Sequence, residues 1–472
     1  MVSEPQPDTL IPITYGSEGN AYQPLSGTTY LVRVFGCQMN FHDGERVRGM
    51  LESAGSVPVE TVEEADIVVY LTCCVREAAD TRLYGQVASM RNVPPREGSR
   101  RRIVAIGGCI GQRDGEHLFD ELDNVSVVFG THTLYRLPAL LAEALSGTRR
   151  LVALSETDAE GMSSTDLPTK RDEGFHAWVP ITYGCNNFCT YCIVPYVRGR
   201  EHSRAFEDVL EETGRLVAEG VQEITLLGQN VNSYGRDLYG APRFAELLRA
   251  VGSSGIPRLR FATSHPKDLS DETIAAMAET PAVMPALHLP AQSGSSRILK
   301  LMHRTYDRDG YLALVDRIRN AMPQIALSTD IIVGFPGETE EDFLDTLSLV
   351  QGVGYAQVFT FIYSKREGTP AARMVDDTPH EVIQERFDRL VAAVQEGALA
   401  YNTRDTGARM PVLFESLSKR DETMLTGRSP KNQTVHVPLP QGSNADDFIG
   451  TIRDVKIEEA RTWYLRGSFA AD

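Results

Sequence analysis

The sequence predicts an α/β chain of several domains, and three observations carry that prediction. Three β-branched runs near the N-terminus alternate with helix-like stretches, which implies a Rossmann-like parallel sheet. Six further strand–helix units follow a polar break, which implies a TIM-type (β/α)6 barrel, full or partial. From residue 404 onward short strand patterns occur with no helices between them, which implies a small all-β domain. A chain of 472 residues also exceeds what one hydrophobic core organises. The expected boundaries are a flexible tail at 1–27, a first domain at 28–150, a linker at 151–175, the barrel at 176–403 and the all-β domain at 404–472.

The tail is rich in Pro, Gly, Ser and Thr and shows no sustained periodicity. The runs "YLVRVFGC", "DIVVYLTC" and "RRIVAIGGC" follow, each strand-length and each ending in a cysteine: Cys37, Cys73 and Cys109. These cysteines recur at 36-residue intervals, about one strand–helix unit. In a parallel sheet, ligand sites gather beyond the carboxyl ends of the strands. Neighbouring strands lie about 5 Å apart, so three strand-end thiolates can converge on one small object. The stretch 155–176 is polar and turn-rich, as a linker should be. Strand patterns then resume at "WVPITYG", "EITLLGQ", "RLRFATS", "PALHLP", "IALSTDIIVG" and "AQVFTFIYS". Helical patterns such as "FEDVLEETGRLVAEG" and "YLALVDRIRNAM" intervene. The last part reads as strands at "MPVLFES", "QTVHVPL", "IGTIRDVKIEEA" and "TWYLRGSF".

Composition is that of an ordinary globular protein, 42% apolar and 24% charged. No apolar run approaches the roughly 20 residues of a membrane span, and the N-terminus lacks the order of a signal peptide. The cytoplasm is the expected location. Thiols stay reduced there, so clustered cysteines read as metal or catalytic groups. A net charge of −17 argues against indiscriminate binding to nucleic acid, which needs a basic surface. Contact with RNA would fall to local patches: "VRGREHSR" at 197–204, "RRR" at 100–102, and Lys419, Arg420, Arg428 and Lys431. Solvated surface charge explains the same residues.

The loop after the first barrel strand, "YGCNNFCTYC", holds Cys185, Cys189 and Cys192 as C-x3-C-x2-C. Structural zinc is closed by four ligands, and no fourth cysteine or histidine follows at finger-like spacing. A 4Fe-4S cube held by three thiolates keeps one iron open to a substrate or cofactor. The missing ligand then marks the reactive position.

This motif resembles that of the radical S-adenosylmethionine (radical-SAM) enzymes. The resemblance implies that the open iron binds the methionine moiety of S-adenosylmethionine, which is cleaved to a 5′-deoxyadenosyl radical. It also places Tyr191 near the adenine, although loop packing explains Tyr191 equally. "GCQMN", "TCCVRE" and "GGCIGQR" resemble the three cysteine motifs of the methylthiotransferases, in which Cys37, Cys73 and Cys109 would hold an auxiliary 4Fe-4S cluster. "LLGQNVNSYG", "TSHPKDLS", "HLPAQSGSSRILKLMHR" and "TDIIVGFPGETEEDF" follow in the family's order, and "LTGRSPKNQTVHV" looks like an RNA-binding TRAM domain. The chain departs from the pattern at Gly44, in "GGCIGQR" and at the added thiol Cys74, and none of these removes a ligand. Strand alternation would turn Cys74 away from the site as a packing residue.

The resemblance is nearest to the tRNA 2-methylthio-N(6)-dimethylallyladenosine synthase branch, which acts on isopentenylated adenosine 37 in the anticodon loop. It implies that one S-adenosylmethionine methylates a sulfur on the auxiliary cluster and a second is cleaved at the barrel cluster. The methylthio group then goes to carbon 2 of the adenine. A low-potential electron donor such as flavodoxin or ferredoxin is implied, and no membrane partner. Gln229, Asn230, Asn232, Ser264, His265, Gln292 and Ser293 lie just after barrel strands, where polar side chains would face the cofactor; turn roles explain them as well. The glycines of "GFPGET" permit close backbone approach or a tight turn. Two alternatives stand beside this one: methylthiolation of a ribosomal-protein aspartate, and a non-catalytic zinc-bearing RNA-binding protein.

Overall fold

The computed structural model describes residues 23–74, 77–99, 101–155 and 167–470. Most of the expected tail, the linker stretch 156–166 and Arg100 lie outside the described residues. The chain forms two compact units. One runs up to Asp172 and takes in Tyr183–Asn186 and Ile193–Glu201; the other holds Glu173–Thr182, Asn187–Cys192 and everything from His202 on.

The first unit is built on a parallel sheet of six strands: β1 (Thr29–Val34), β2 (Val57–Pro58), β3 (Ile67–Thr72), β4 (Ile103–Gly108), β5 (Val127–Phe129) and β6 (Leu151–Ala153), in the order β2-β1-β3-β4-β5-β6. Every residue of β3 and β4 is buried, which is why both read as unbroken apolar runs rather than alternating ones. Strands β2, β5 and β6 are two or three residues long, too short to show a period. Strand β6 falls where a linker was expected. At the end of the expected tail Leu25 is fully buried, and its amide donates to Ala54 O at 3.0 Å. Helix α1 (Gln38–Ser53) starts directly after β1 and packs Val47, Met50 and Leu51 into the core.

In the second unit all six expected barrel strands form: β7 (His176–Pro180), β8 (Glu223–Leu227), β9 (Arg258–Phe261), β10 (Ala286–His288), β11 (Ala326–Val333) and β12 (Gln357–Ile362). They pair in parallel as β7-β8-β9 and β10-β11-β12. A bridge from Leu259 to Val283, just ahead of β10, links the two sets. Among the described residues no ladder joins β12 to β7, so the barrel is partial. The helices Phe206–Ala218 and Phe244–Gly252 bury Phe206, Val209, Leu216, Phe244 and Leu248 against its outer face. Each such side chain contributes about 1.5–3 kcal/mol.

The same unit ends in a closed five-stranded barrel of β13 (Arg409–Ser418), β14 (Asp421–Arg428), β15 (Thr434–Pro438), β16 (Ile452–Ala460) and β17 (Leu465–Phe469), ordered β13-β14-β15-β17-β16. Strand β14 escapes a sequence reading because its first half, "DET", is exposed and polar. Arg258 and Arg260 fix this barrel to the larger one. Arg258 donates to Arg428 O at 2.8 Å and Pro411 O at 2.7 Å. Arg260 donates to Ser429 O at 2.9 Å, Pro430 O at 3.1 Å and the Glu223 carboxylate at 2.8 Å.

Buried Glu338, after β11, accepts from the Gly334 amide at 2.8 Å and lies 3.7 Å from Arg386. Burial pushes its carboxyl up to about 7, against the pull of the Gly334 amide and Arg386. The folded chain therefore holds this proton more tightly than the unfolded one. The associated stability is complete below the ordinary carboxylate range and is lost as pH rises to about 7, on the order of 3 kcal/mol in all. E338Q keeps the Gly334 bond and should flatten the fall in melting temperature between pH 5 and pH 8. An unchanged slope contradicts this.

Candidate active site

The ladders pair Val34 with Leu71 and Thr72 with Gly108, so β1, β3 and β4 end level with one another. Beyond those ends sit the three predicted cysteines. Cys37 is the N-cap of α1, Cys73 follows β3 directly, and Cys109 opens the helix Cys109–Asp114. Two glycines make the close approach possible. Gly36 has φ +119°, and a Cβ there would lie 2.2 Å from that of Cys73. Gly108 has φ +79°, and its Cβ would stand 2.9 Å from Thr72 O. G36A should therefore part these thiols and cost most of any iron they hold, while the barrel's iron is kept. Full iron content in G36A contradicts that.

The thiols of Cys37 and Cys73 are hydrogen-bonded, and so are those of Cys74 and Cys109. Cys74 is a buried packing residue as expected, but the expectation that it turns away from the trio is thereby corrected. Strand β3 stops at Thr72, so strand alternation no longer governs residues 73 and 74. The Cys73 thiol, with Arg198, draws the Cys37 thiol down to about 6 against burial. Cys74 and Arg198 draw Cys109 down to about 7, and Cys74 rises in turn. Thiolate is the form that binds metal, so these thiols suit a cluster. Among the described residues no three His, Cys, Asp or Glu side chains close on a point that would hold a single ion. A four-iron cube is held at its corners, and its thiolates stand wider apart than the ligands of one ion.

Two arginines of "VRGREHSR" do not form the surface patch the sequence suggested. Arg198 is 4% exposed and donates to Asn40 Oδ1 at 2.7 Å and Asp43 Oδ2 at 3.0 Å. Arg204 is fully buried on Pro180 O at 2.9 Å and Glu212 at 2.6 Å. Near the C-terminus Lys431 pairs with Asp405 and Arg428 with Glu415, which leaves Lys419 and Arg420 exposed on the β13–β14 turn.

In the second trio, the Cys185 amide donates to Gly199 O at 3.1 Å within the first unit. Cys189 and Cys192 belong to the second unit, in a turn closed by the Cys192 amide on Cys189 O at 3.0 Å. Thr190 anchors this turn through its amide to Met302 O and its hydroxyl to Leu301 O. Arg304 donates to Cys189 Sγ at 3.2 Å and is fixed by Tyr306 Oη at 2.8 Å. Tyr191 packs on Ile298, Met302 and Phe335, and burial raises its phenol. Phe188 (φ +46°) and His303 (φ +58°) carry left-handed backbone at this contact, joined by the His303 ring and Phe188 O at 3.2 Å. Such strain collects at functional sites and costs about 1–3 kcal/mol per residue.

The ends of β8 and β9 carry orphaned polar atoms. Asn230 donates to Asp268 at 2.7 Å, but its buried Oδ1 has no partner among the described residues. Asn232 accepts from the His265 amide at 3.2 Å, leaving Nδ2 without one, and Ser264 Oγ is likewise unpaired. Each costs about 1–3 kcal/mol unless a ligand meets it, which fits a polar cofactor at this end of the barrel. Gln229 is half-buried at the same turn. Gln292 is buried at φ +69°, its backbone bridging Asp330 and Ile332. Ser293 is occupied with Thr346, and the His265 ring accepts from the Lys267 amide.

Family models match in three places: the Radical SAM superfamily at residues 179–350, the uncharacterized protein family UPF0004 at 29–130, and the TRAM domain at 404–470. The tRNA-2-methylthio-N(6)-dimethylallyladenosine synthase of Acetivibrio thermocellus is 46% identical over 442 residues, covering 93% of this chain and 90% of that protein. The protein of the same name from Acidothermus cellulolyticus is 50% identical over 412 residues, 86% of this chain and 82% of that one. The chain belongs to the tRNA-2-methylthio-N(6)-dimethylallyladenosine synthase family. Its fold is similar to a radical S-adenosylmethionine methyltransferase, TsrM, from Kitasatospora setae, with a TM-score of 0.52 at 14% identity over 74% of this chain and 77% of that one.

As a radical-SAM family member the chain uses S-adenosylmethionine and a 4Fe-4S cluster. Among its described residues no helix is long and apolar enough to cross a membrane. A sequence reading of this family member missed Asn40, Asp43 and Arg304 and took Arg198 for part of a surface patch. All four lie inside motifs that sequence does pick out, "GCQMN", "HDGER", "VRGR" and "LMHR". None of the four neighbours a ligand cysteine along the chain, so membership of those motifs was the available signal.

Proposed function

We propose that this chain attaches a methylthio group to carbon 2 of N6-dimethylallyladenosine at position 37 of tRNA, with two 4Fe-4S clusters. The observation that carries this reading is the level placement of Cys37, Cys73 and Cys109 beyond three neighbouring strands. That arrangement offers a second cluster site besides the barrel loop of Cys185, Cys189 and Cys192. The relatives named above for this product support the choice of substrate. When bound, the clusters and S-adenosylmethionine supply sulfur, methyl group and one-electron chemistry.

The chain's own residues bind and orient. Arg304 holds a charge-assisted bond on the Cys189 sulfur, and Tyr191 offers an aromatic face beside Cys192. Asn230, Asn232 and Ser264 offer their orphaned atoms to the cofactor's polar groups. Lys419 and Arg420, exposed on the β13–β14 turn, would meet tRNA phosphates, which adds affinity without reading bases. Adenosine 37 must leave the loop stack to react, at a cost of a few kcal/mol. A low-potential donor such as flavodoxin or ferredoxin supplies the electrons.

S264A removes an unpaired buried group, so it should leave the melting temperature level or higher while weakening S-adenosylmethionine about tenfold. Unchanged affinity takes Ser264 out of the site. The function itself is tested by an anoxic assay on dimethylallylated anticodon stem-loop RNA. A 2-methylthio product supports it; cofactor cleavage without that product rejects the substrate.

A further inference from the structure

We propose that Arg198 is a positioning residue for the N-terminal cysteine trio, presenting a fixed positive charge that stabilises an anionic sulfur ligand on the open iron. The proposal deepens the two-cluster reading and rests on it. Arg198 is held from one side. Its Nη2 donates to both Asn40 Oδ1 and Asp43 Oδ2. Asn40 is itself fixed by its side-chain amide on Phe35 O at 2.9 Å, and both residues stand in the first turns of α1, just after Cys37.

A guanidinium carries five N–H groups in a rigid plane. Nη2 serves Asn40 and Asp43, and the same guanidinium hydrogen-bonds the Cys109 thiol. The result is a buried dipole with its positive end at the cysteines. A structural staple for α1 would need only the Asn40 and Asp43 contacts. A cube with three thiolates gains negative charge when a sulfide or thiolate binds its open iron. In a buried site an adjacent guanidinium compensates that charge far better than water-screened groups can.

The test uses the full-length C185A/C189A/C192A protein, which holds only the N-terminal cluster. It is reconstituted anoxically, then titrated with sulfide and with methanethiolate. Midpoint potential and the electron paramagnetic resonance of the reduced cluster are the readouts. R198Q should bind both ligands at least tenfold more weakly, and loss of the fixed positive charge should make the reconstituted cluster harder to reduce. R198K, which keeps the charge, should recover the potential. D43N, which leaves Arg198 unneutralised, should shift both readouts the opposite way. Parental affinity and potential in R198Q overturn the proposal. If R198Q holds no iron, D43N decides: unchanged readouts overturn the proposal, and tighter sulfide binding upholds it. An iron-free parent defeats the two-cluster reading instead, before Arg198 is altered.

Discussion

Replacing Cys37, Cys73 and Cys109 together by alanine is expected to abolish the methylthio product while S-adenosylmethionine cleavage remains measurable. The three thiols lie in one compact unit, around strand ends that make no use of Cys189 or Cys192. The barrel turn keeps its anchors on Leu301 and Met302 in such a variant, so the cofactor still meets its own site. Product should fall at least about a thousandfold, because ligands acting as a unit fail together. Alanines at Cys185, Cys189 and Cys192 should remove cleavage and product alike. The check is one reaction mixture analysed for both the modified nucleoside and the cleaved cofactor. Equal loss of both in the first variant contradicts the division of labour.

The second large effect concerns Arg260. Its guanidinium spends three bonds on Glu223, Ser429 and Pro430, the first two buried. Truncation to alanine leaves Glu223 buried with only Arg258 near, at 4.0 Å. Breaking a buried pair in this way costs about 3–5 kcal/mol. It also strips two of the four carbonyl bonds that Arg258 and Arg260 make to the C-terminal barrel. R260A should therefore lower the melting temperature by several degrees and open residues 404–470 to proteolysis ahead of the rest of the chain. R260K, with one charge but no fork, should rescue little. Simultaneous digestion of the whole chain contradicts a clamp.

What the sequence disclosed follows from periodicity. Five of the six barrel strands run to four residues or more between amphipathic helices, and three-residue β10 was legible inside the longer run "PALHLP". The cysteines stood out because they end three such runs at equal intervals. Strands β5 and β6 were hidden by their three-residue length, and β14 by its polar exposed half. Arg198 and Arg204 misled because a run of basic residues gives no sign of which guanidinium will be buried against a carboxylate; here Arg198 is, on Asp43, and Arg204 is, on Glu212. Cys74 misled for a related reason. Alternation is a property of strands, and the strand had already ended.

The central claim is that one chain carries two cubes, each anchored by its own three thiolates. Iron and acid-labile sulfide, counted with Mössbauer spectra on anoxically reconstituted protein, test it most directly. About eight irons per chain in the parent, and about four in each triple-alanine variant, are the predicted values. A parent with about four irons, all lost with one trio and untouched by loss of the other, contradicts the account.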